Sequence, residues 1–480
     1  MTEAVVNFNT NLNIRILQFG EGNFLRAFIG DLVDELNSKT IFNGGIVVVQ
    51  PIPKGLVDLI ESQKGVYTLF LNGIENGETI QRHKRIDSIV ACNNHYEDFS
   101  SYLKLAHIDS FHFIVSNTTE DGITYDPDDQ FLDRPPNSFP AKLTRWLWER
   151  WFHFQGNNNA GVSIIPCELI NNNADTLKEI IFKYVKVWAL ESAFSDWLKN
   201  ACTFHNSLVD RIVSGYPKEN EAALKSLTSF DDQLMVVAEP FFLWVIEGDE
   251  KLKAKLPLNN IDLEVKIVEN LQSYRTRKVR ILNGAHTCIV SLSLLHGNST
   301  VLETMENEFT KSFLNVAVLE EIVPYLEGDI SEMTGFANAV FERFKNPFVD
   351  HYLESIVLNS ISKFKVRVLP SILIYNQVTG KQPLYLSFAF ACLIRFYKGT
   401  WEGKKLPIQE NPNQSAIFIS AWNNKNIHNT VVDILKEQQL WDQDLSLETE
   451  LVNLIETALI AVELEGIEKG FQTYLKTQQQ

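Results

Sequence analysis

The chain has 480 residues, 45% of them hydrophobic and 21% charged, with 60 acidic side chains against 43 lysines and arginines and a formal charge of −17. That length exceeds a single hydrophobic core and makes two domains the default, while the composition is that of an ordinary soluble globular protein. The negative balance excludes a nucleic-acid binder, because phosphate repels such a surface; a small anionic substrate in a local basic pocket stays open.

The five cysteines, Cys92, Cys167, Cys202, Cys288 and Cys392, are odd in number, and none are paired at a metal or redox spacing. That pattern fits a reducing cytoplasm. Residues 1–10 are polar without an apolar h-region. The longest apolar run, near 384–394, is too short to span a bilayer. A cytoplasmic protein without membrane association is therefore expected.

In chain order, 13–19 reads as a short strand. Gly20 and Gly22 follow at once, and Asn23, Phe24 and Arg26 open an amphipathic helix that runs to about residue 36. A strand, a glycine turn and a helix N-terminus suit a dinucleotide pyrophosphate. They suit a plain strand–helix turn equally, since Leu25 stands where the third glycine of G-x-G-x-x-G would be. The β-branched run 46–49 has the character of a buried parallel strand. It ends in Gln50, where an acid usually holds the ribose hydroxyls of NAD; a glutamine still bonds a ribose but does not repel a 2′-phosphate.

Further strands are expected at 67–71, 89–91 and 111–115. The last runs into Ser116, Asn117, Thr118, Thr119 and Glu120, small polar residues placed where doubly wound sheets bind ligands, or else an ordinary polar loop. Residues 126–140 read as a surface loop, 141–154 as an aromatic helix whose tryptophans belong in a core, and 162–165 as another buried strand. That strand leads into Cys167, Glu168 and the asparagines at 171–173, which are either donors to a ligand or turn residues tolerant of left-handed backbone. Helical patterns fill 175–199. The adjacent Asp210 and Arg211 do not share a helical face, which argues against a mere local ion pair, and 239–247 is a hydrophobic segment bounded by acids. From about 267 onward apolar residues recur every three or four positions, a mainly helical pattern.

Within that helical half, 278–286 spaces an amine, an amide and an imidazole, Lys278, Asn283 and His286, five and three residues apart. On a regular helix, at about 100° per residue, they fall within an arc of about 140°. Ile281, Leu282, Ala285 and Ile289 gather on an adjoining arc that packs inward. The trio suits proton transfer at a carbonyl, with lysine as general acid or base and the other two polarising an oxygen. The plain alternative makes Asn283 a helix cap. Gly284 costs roughly 1 kcal/mol relative to alanine inside a helix, which points to a close approach at its backbone.

Taken together and in this order, these segments resemble the long-chain mannitol dehydrogenase family of polyol and sugar-acid oxidoreductases, over nearly the whole chain. Residues 20–27 are similar to the family's G-x-G-x-F-x-R-A turn, which accounts for the missing third glycine. Lys278, Asn283 and His286 match its K-x4-N-x2-H signature, Asn173 falls where the family has a second oxygen-binding asparagine, and Asp210 where it has the aspartate of V-D-R. The segments 16–28, 116–120, 138–144 and 365–371 look most like the sugar-acid branch. Polyol enzymes of the family carry a glutamate three residues before the lysine; Arg275 stands there instead. An arginine suits a substrate carboxylate, which it grips in a bidentate fork, although a helix-surface arginine is the plain reading. Lys363 and Arg367 are further candidates by placement.

The resemblance implies an α/β chain with a Rossmann-type NAD-binding domain over 1–266 and a mainly helical domain over 267–480, the active site lying in the cleft between them. It implies hydride transfer from NADH to the keto carbon of a sugar acid, with Lys278 as general acid and Asn283, His286 and Asn173 holding the oxyanion. Gly20, Gly22, Asn23, Phe24, Arg26, Gln50, Ser116, Asn117 and Thr118 would hold the cofactor, and Arg275, Asp210, Lys363 and Arg367 the substrate. No H-E-x-x-H or paired Cys/His set is present in the sequence, so no metal is expected. The rivals are another hexuronate reductase, a mannitol dehydrogenase, a nucleotide-binding regulatory protein without catalysis, and an NAD-independent helical interaction module.

Overall fold

Asn13–Phe19 forms the first strand of a six-stranded sheet. In spatial order its members are Ile89–Asn93, Gly44–Val49, Asn13–Phe19, Phe113–Ser116, Ser163–Pro166 and Thr203–Phe204, and every pairing is parallel. The computed structural model describes residues 7–119, 121–424 and 426–478, so Glu120 and residues 1–6 fall outside it. The chain winds outward from Asn13–Phe19 in one direction and then the other. The order therefore reverses beside that strand, where doubly wound sheets leave a crevice at the carboxyl ends.

Alternation along the strands divides two hydrophobic layers. Ile16, Ile46, Val48, Phe113, Val115 and Ile165 face one, with Phe28 and Leu32 from the helix after the glycine turn. Leu17, Phe19, Val47, Val49, Ile114 and Ile164 face the other, with Leu143, Trp146 and Leu177. Trp146 is fully buried and Trp148 and Trp151 pack against the same layer, as the aromatic helix, Phe139–His153, is expected to do. Each fully buried large side chain contributes about 1.5–3 kcal/mol, so the sheet is held firmly from both faces. A four-stranded sheet built on Tyr67–Glu75 and Glu78–Ile86 and a three-stranded one of Glu264–Val268, Leu243–Glu247 and Ser207–Asp210 complete this unit. It extends to Leu271. The strand Glu264–Val268 straddles the expected division after residue 266 and belongs wholly to the first unit, because it pairs in register with Leu243–Glu247.

The second unit, from Gln272 onward, is mainly helical. The apolar run near 384–394 becomes the core helix Leu384–Phe396, buried at every position from Leu386 to Phe396. It packs against Gly284–His296 and Thr449–Glu465. Gly297, with φ of 108°, ends Gly284–His296 in the left-handed conformation that helix C-termini favour. Among the described residues no helix is long and apolar enough to cross a membrane.

Candidate functional site

The glycine turn lies at the sheet's switch point. Gly20 has φ of +122°, and a Cβ there would stand 3.0 Å from the carbonyl oxygen of Asn117, so the loops leaving the two neighbouring strands touch at this glycine. A Cβ on Gly22 would meet nothing within 4 Å, so its surface is open. The helix that follows contains a π turn, Arg26–Gly30, before regular α-helix resumes at Asp31. Arg26 is 2% exposed. Its guanidinium donates to the Glu21 carbonyl (3.2 Å) and to Asn23 Oδ1 (2.7 Å), so it fastens the turn from beneath instead of reaching outward. Phe24 stacks on Phe28 at 4.9 Å.

Two further loops flank the turn. Gln50 Nε2 donates to the carbonyls of Ile52 (2.9 Å) and Pro53 (3.3 Å), folding the loop after its strand back on itself. Ser116 Oγ donates to Glu168 Oε2 (3.0 Å), Thr118 donates to Glu168 Oε1 through both its N–H and its hydroxyl (3.0 Å each), and Asn117 Nδ2 donates to the Cys167 carbonyl (2.9 Å). Burial raises the Glu168 carboxyl above its ordinary range even against these donors. The sequence reading passed over Glu168 as a functional residue; its only signal was an acid among amides just after a strand. These loops have features that suit a dinucleotide: a glycine turn with open space, and a buried carboxylate oxygen, Glu21 Oε2, with no hydrogen-bond partner among the described residues.

In the second unit, Lys278–Asn283 is itself a π turn, continuous with Gly284–His296. Bonding from i to i+5 gives roughly 4.4 residues per turn, so Lys278 and Asn283 lie about 50° apart instead of about 140°. His286, three α-helical steps further on, turns back by about 60°. The inserted residue thus draws amine, amide and imidazole onto one narrow side of the helix. Asn283 has helical dihedrals and makes no side-chain capping bond, so it does not serve as a helix cap. Ile281, Leu282, Ala285 and Ile289 are buried, and Arg280 fixes the π turn by donating from Nε to Ser371 Oγ (3.0 Å). The approach expected at Gly284 is only ordinary contact: a Cβ there would stand 3.4 Å from the Arg367 carbonyl oxygen.

His286 stacks on Phe344 and meets His351 edge-on at 4.9 Å. Its Nε2 is closed off from solvent and has no hydrogen-bond partner among the described residues. Burial, then the charges of His351, Arg343, Arg367 and Lys363, hold the imidazole well below its ordinary pKa, so it is neutral. Lys363 donates to the Ile356 carbonyl (2.9 Å) and Arg367 to Thr287 Oγ1 (3.4 Å). Neither has an ion-pair partner among the described residues, and burial lowers both pKa values. Two cations beside a neutral imidazole, with no carboxylate at ion-pair distance among the described residues, suit an anion. Arg343 and His351 escaped the sequence reading, because they lie more than fifty residues from the signature and only folding brings them to it. Arg275 is half-buried on Gln272–Arg277, just before the π turn.

Asn173 and Asp210 belong to the first unit. Asn173 is fully buried; its amide nitrogen donates to the carbonyls of Pro166, Glu168 and Ser207, and its oxygen accepts from the N–H groups of Ala174 and Ser207. The left-handed residue is its neighbour Asn172, at φ 51°. Asp210 ends the strand Ser207–Asp210, 4% exposed and opposite Leu243. Adjacent strand residues point to opposite faces, and Arg211 reaches Asp31 instead, in a fully buried pair at 2.5 Å.

The family model for the mannitol dehydrogenase Rossmann domain matches residues 14–260, and that for the mannitol dehydrogenase C-terminal domain matches 270–463. The altronate oxidoreductase of Yersinia enterocolitica is 41% identical over 96% of both chains. That of Klebsiella pneumoniae is 42% identical over 95% of this chain and 96% of the relative. Among solved structures, substrate-free D-sorbitol dehydrogenase superposes with a TM-score of 0.80 at 18% identity, covering 96% of this chain and 95% of that one. Mannitol 2-dehydrogenase of Pseudomonas fluorescens, in ternary complex with NAD and D-mannitol, superposes with a TM-score of 0.68 at 18% identity, covering 97% and 95%.

Proposed function

The chain belongs to the mannitol dehydrogenase family, and from that premise we propose that it reduces D-tagaturonate to D-altronate with NADH. The altronate oxidoreductases that resemble it along almost their entire length support the substrate, and the Rossmann-type unit with its glycine turn supports the nucleotide. The observation that carries the reading is the π turn, which sets Lys278, Asn283 and His286 on one side of a helix ringed by cations. NADH supplies the hydride that adds to the keto carbon. Lys278, as ammonium, gives its proton to the oxygen that becomes the new hydroxyl, and recovers one from solvent afterwards. Asn283 donates a hydrogen bond to that oxygen while negative charge develops on it, and the neutral His286 offers its unpartnered Nε2 to the same atom.

Lys363 and Arg367, with Arg343 and Arg275, hold the substrate carboxylate; this separates a sugar acid from a neutral ketose. Asn173 was expected to bind the reacting oxygen. Its saturated amide supports a positioning part instead, tying the turn after Ser163–Pro166 to Ser207. Asp210 keeps its place at the end of the neighbouring strand as a candidate substrate ligand. The cysteines, none in a disulfide, support a reducing cytoplasm. NADH oxidation assayed side by side with tagaturonate, fructuronate and fructose tests the proposal. Tagaturonate is expected to be the best substrate by kcat/KM, and a preference for fructose overturns the sugar-acid reading.

A further inference from the structure

The acid that usually receives the ribose hydroxyls at the end of the second strand is replaced here by Gln50. A carboxylate nevertheless reaches that place from the glycine turn. Glu21 is 5% exposed, and its Oε1 accepts the Leu56 N–H at 3.4 Å. A Cβ built on Gly55 would collide with Glu21 Oε1 and with the side-chain amide of Gln50, so the two side chains lie next to each other under the Gly55 backbone. Only glycine leaves room for both. Gln50 spends its amide hydrogens on Ile52 and Pro53, which leaves its oxygen to accept. Glu21 Oε2 is buried and has no hydrogen-bond partner among the described residues, although the Arg26 charge acts on the carboxyl.

The neighbouring cations are already engaged. Lys142, 1% exposed, donates to the carbonyls of Pro51 (3.1 Å) and Asn137 (2.9 Å) and to the Tyr96 hydroxyl (2.7 Å), which in turn donates to Pro51 (2.8 Å). This clamp holds the loop that follows Gln50. The terminal nitrogens of Arg26 are taken by Glu21's own carbonyl and by Asn23. Burial raises the Glu21 carboxyl above its ordinary range, as befits an acid short of donors.

Two adjacent acceptors, one of them a carboxylate, match the two O–H donors of a vicinal diol. They oppose a phosphate, which brings negative charge and further acceptors. We propose that Glu21, with the Gln50 side-chain oxygen beside it, receives the 2′- and 3′-hydroxyls of the cofactor's adenosine ribose and so selects NAD over NADP. This rests on the reading of the first unit as a dinucleotide site.

Binding of NADH and NADPH to the full chain, followed by equilibrium dialysis without substrate, tests it. Wild type is expected to bind NADH at least about tenfold more tightly than NADPH. Glu21→Gln should weaken NADH by about tenfold, the scale of a hydrogen bond to a charged group, and bring the two dinucleotides within about threefold of each other. Gln50→Ala should weaken NADH while keeping the preference, because the charge remains. Thermal melts of both variants establish that they are folded; should Glu21→Gln fail to fold, Gln50→Ala still tests the pair, and unchanged NADH binding there overturns it. An unaltered preference in folded Glu21→Gln also overturns the proposal and leaves the dinucleotide reading intact. So does a preference that moves only with Lys54→Ala, since Lys54 is exposed on the same loop. Wild type that binds neither dinucleotide overturns both.

Discussion

The imidazole of His286 lies against the ring of Phe344 with centroids 4.1 Å apart and planes 22° from parallel. The aromatic face keeps water off one side of the ring, and the cations around it disfavour protonation. A ring whose pKa is held well below its ordinary value is neutral around neutral pH. The reductive kcat/KM should therefore show no limb between pH 6 and 8 that His286→Gln abolishes. A limb in that range that vanishes in the variant would show that the ring titrates. The same substitution should lower kcat by about 10²-fold, as removal of an oxyanion donor does, and Lys278→Ala by about 10²-fold or more.

Lys363 and Arg367 have no ion-pair partner among the described residues, so their charge is available to a substrate anion. Arg367→Met is expected to raise KM for a hexuronate by about 10- to 100-fold, the range for a lost charged hydrogen bond. Fructose, which has no carboxylate, should respond by less than about threefold. Equal losses for both substrates would remove Arg367 from the carboxylate clamp.

Glu321 accepts N–H groups from Tyr385 (3.0 Å) and Leu386 (2.8 Å) at the start of the buried helix Leu384–Phe396. Burial pushes its pKa from 4.5 up to about 7. Because the folded value lies above the unfolded one, the folded protein binds the extra proton between them. This group's stabilising share is complete below about pH 4.5 and is lost as the pH rises through about 7. Urea midpoints at pH 5 and pH 8 should show wild type losing on the order of 1–3 kcal/mol more than Glu321→Gln. Equal losses would mean that the carboxylate is ionised at both pH values.

Gly284→Ala puts a methyl group at ordinary contact with the Arg367 carbonyl. Inside a helix the alanine should gain up to about 1 kcal/mol, read as a higher melting temperature with KM unchanged. A loss of stability would show that the helix Ser360–Arg367 needs the space that glycine leaves.

The strands of the central sheet were legible because unbroken β-branched runs such as 46–49 have few other uses, and the Lys278 signature was legible because its three groups are close in sequence. What the pattern concealed is of another kind. Periodicity assumes a regular helix, so it spread Lys278, Asn283 and His286 over an arc wider than the π turn gives. Arg343 and His351 carry no mark in their own segments; their meaning comes from neighbours that only folding supplies. Asn173 and Glu168 look alike as polar residues after a strand, yet one is saturated by backbone and the other accepts from Ser116 and Thr118. Hydrogen-bond inventories separate such residues, and sequence alone does not contain them.

The extra residue wound into 278–283 has a consequence for anyone wishing to borrow this chemistry. Grafted into an unbroken helix of a designed scaffold, K-x4-N-x2-H would point its lysine well away from its amide, however faithfully the letters were copied. What must be transplanted is the local overwide coil, together with the arginine and serine that brace it, and a deletion of one residue there should silence the enzyme without touching any functional side chain.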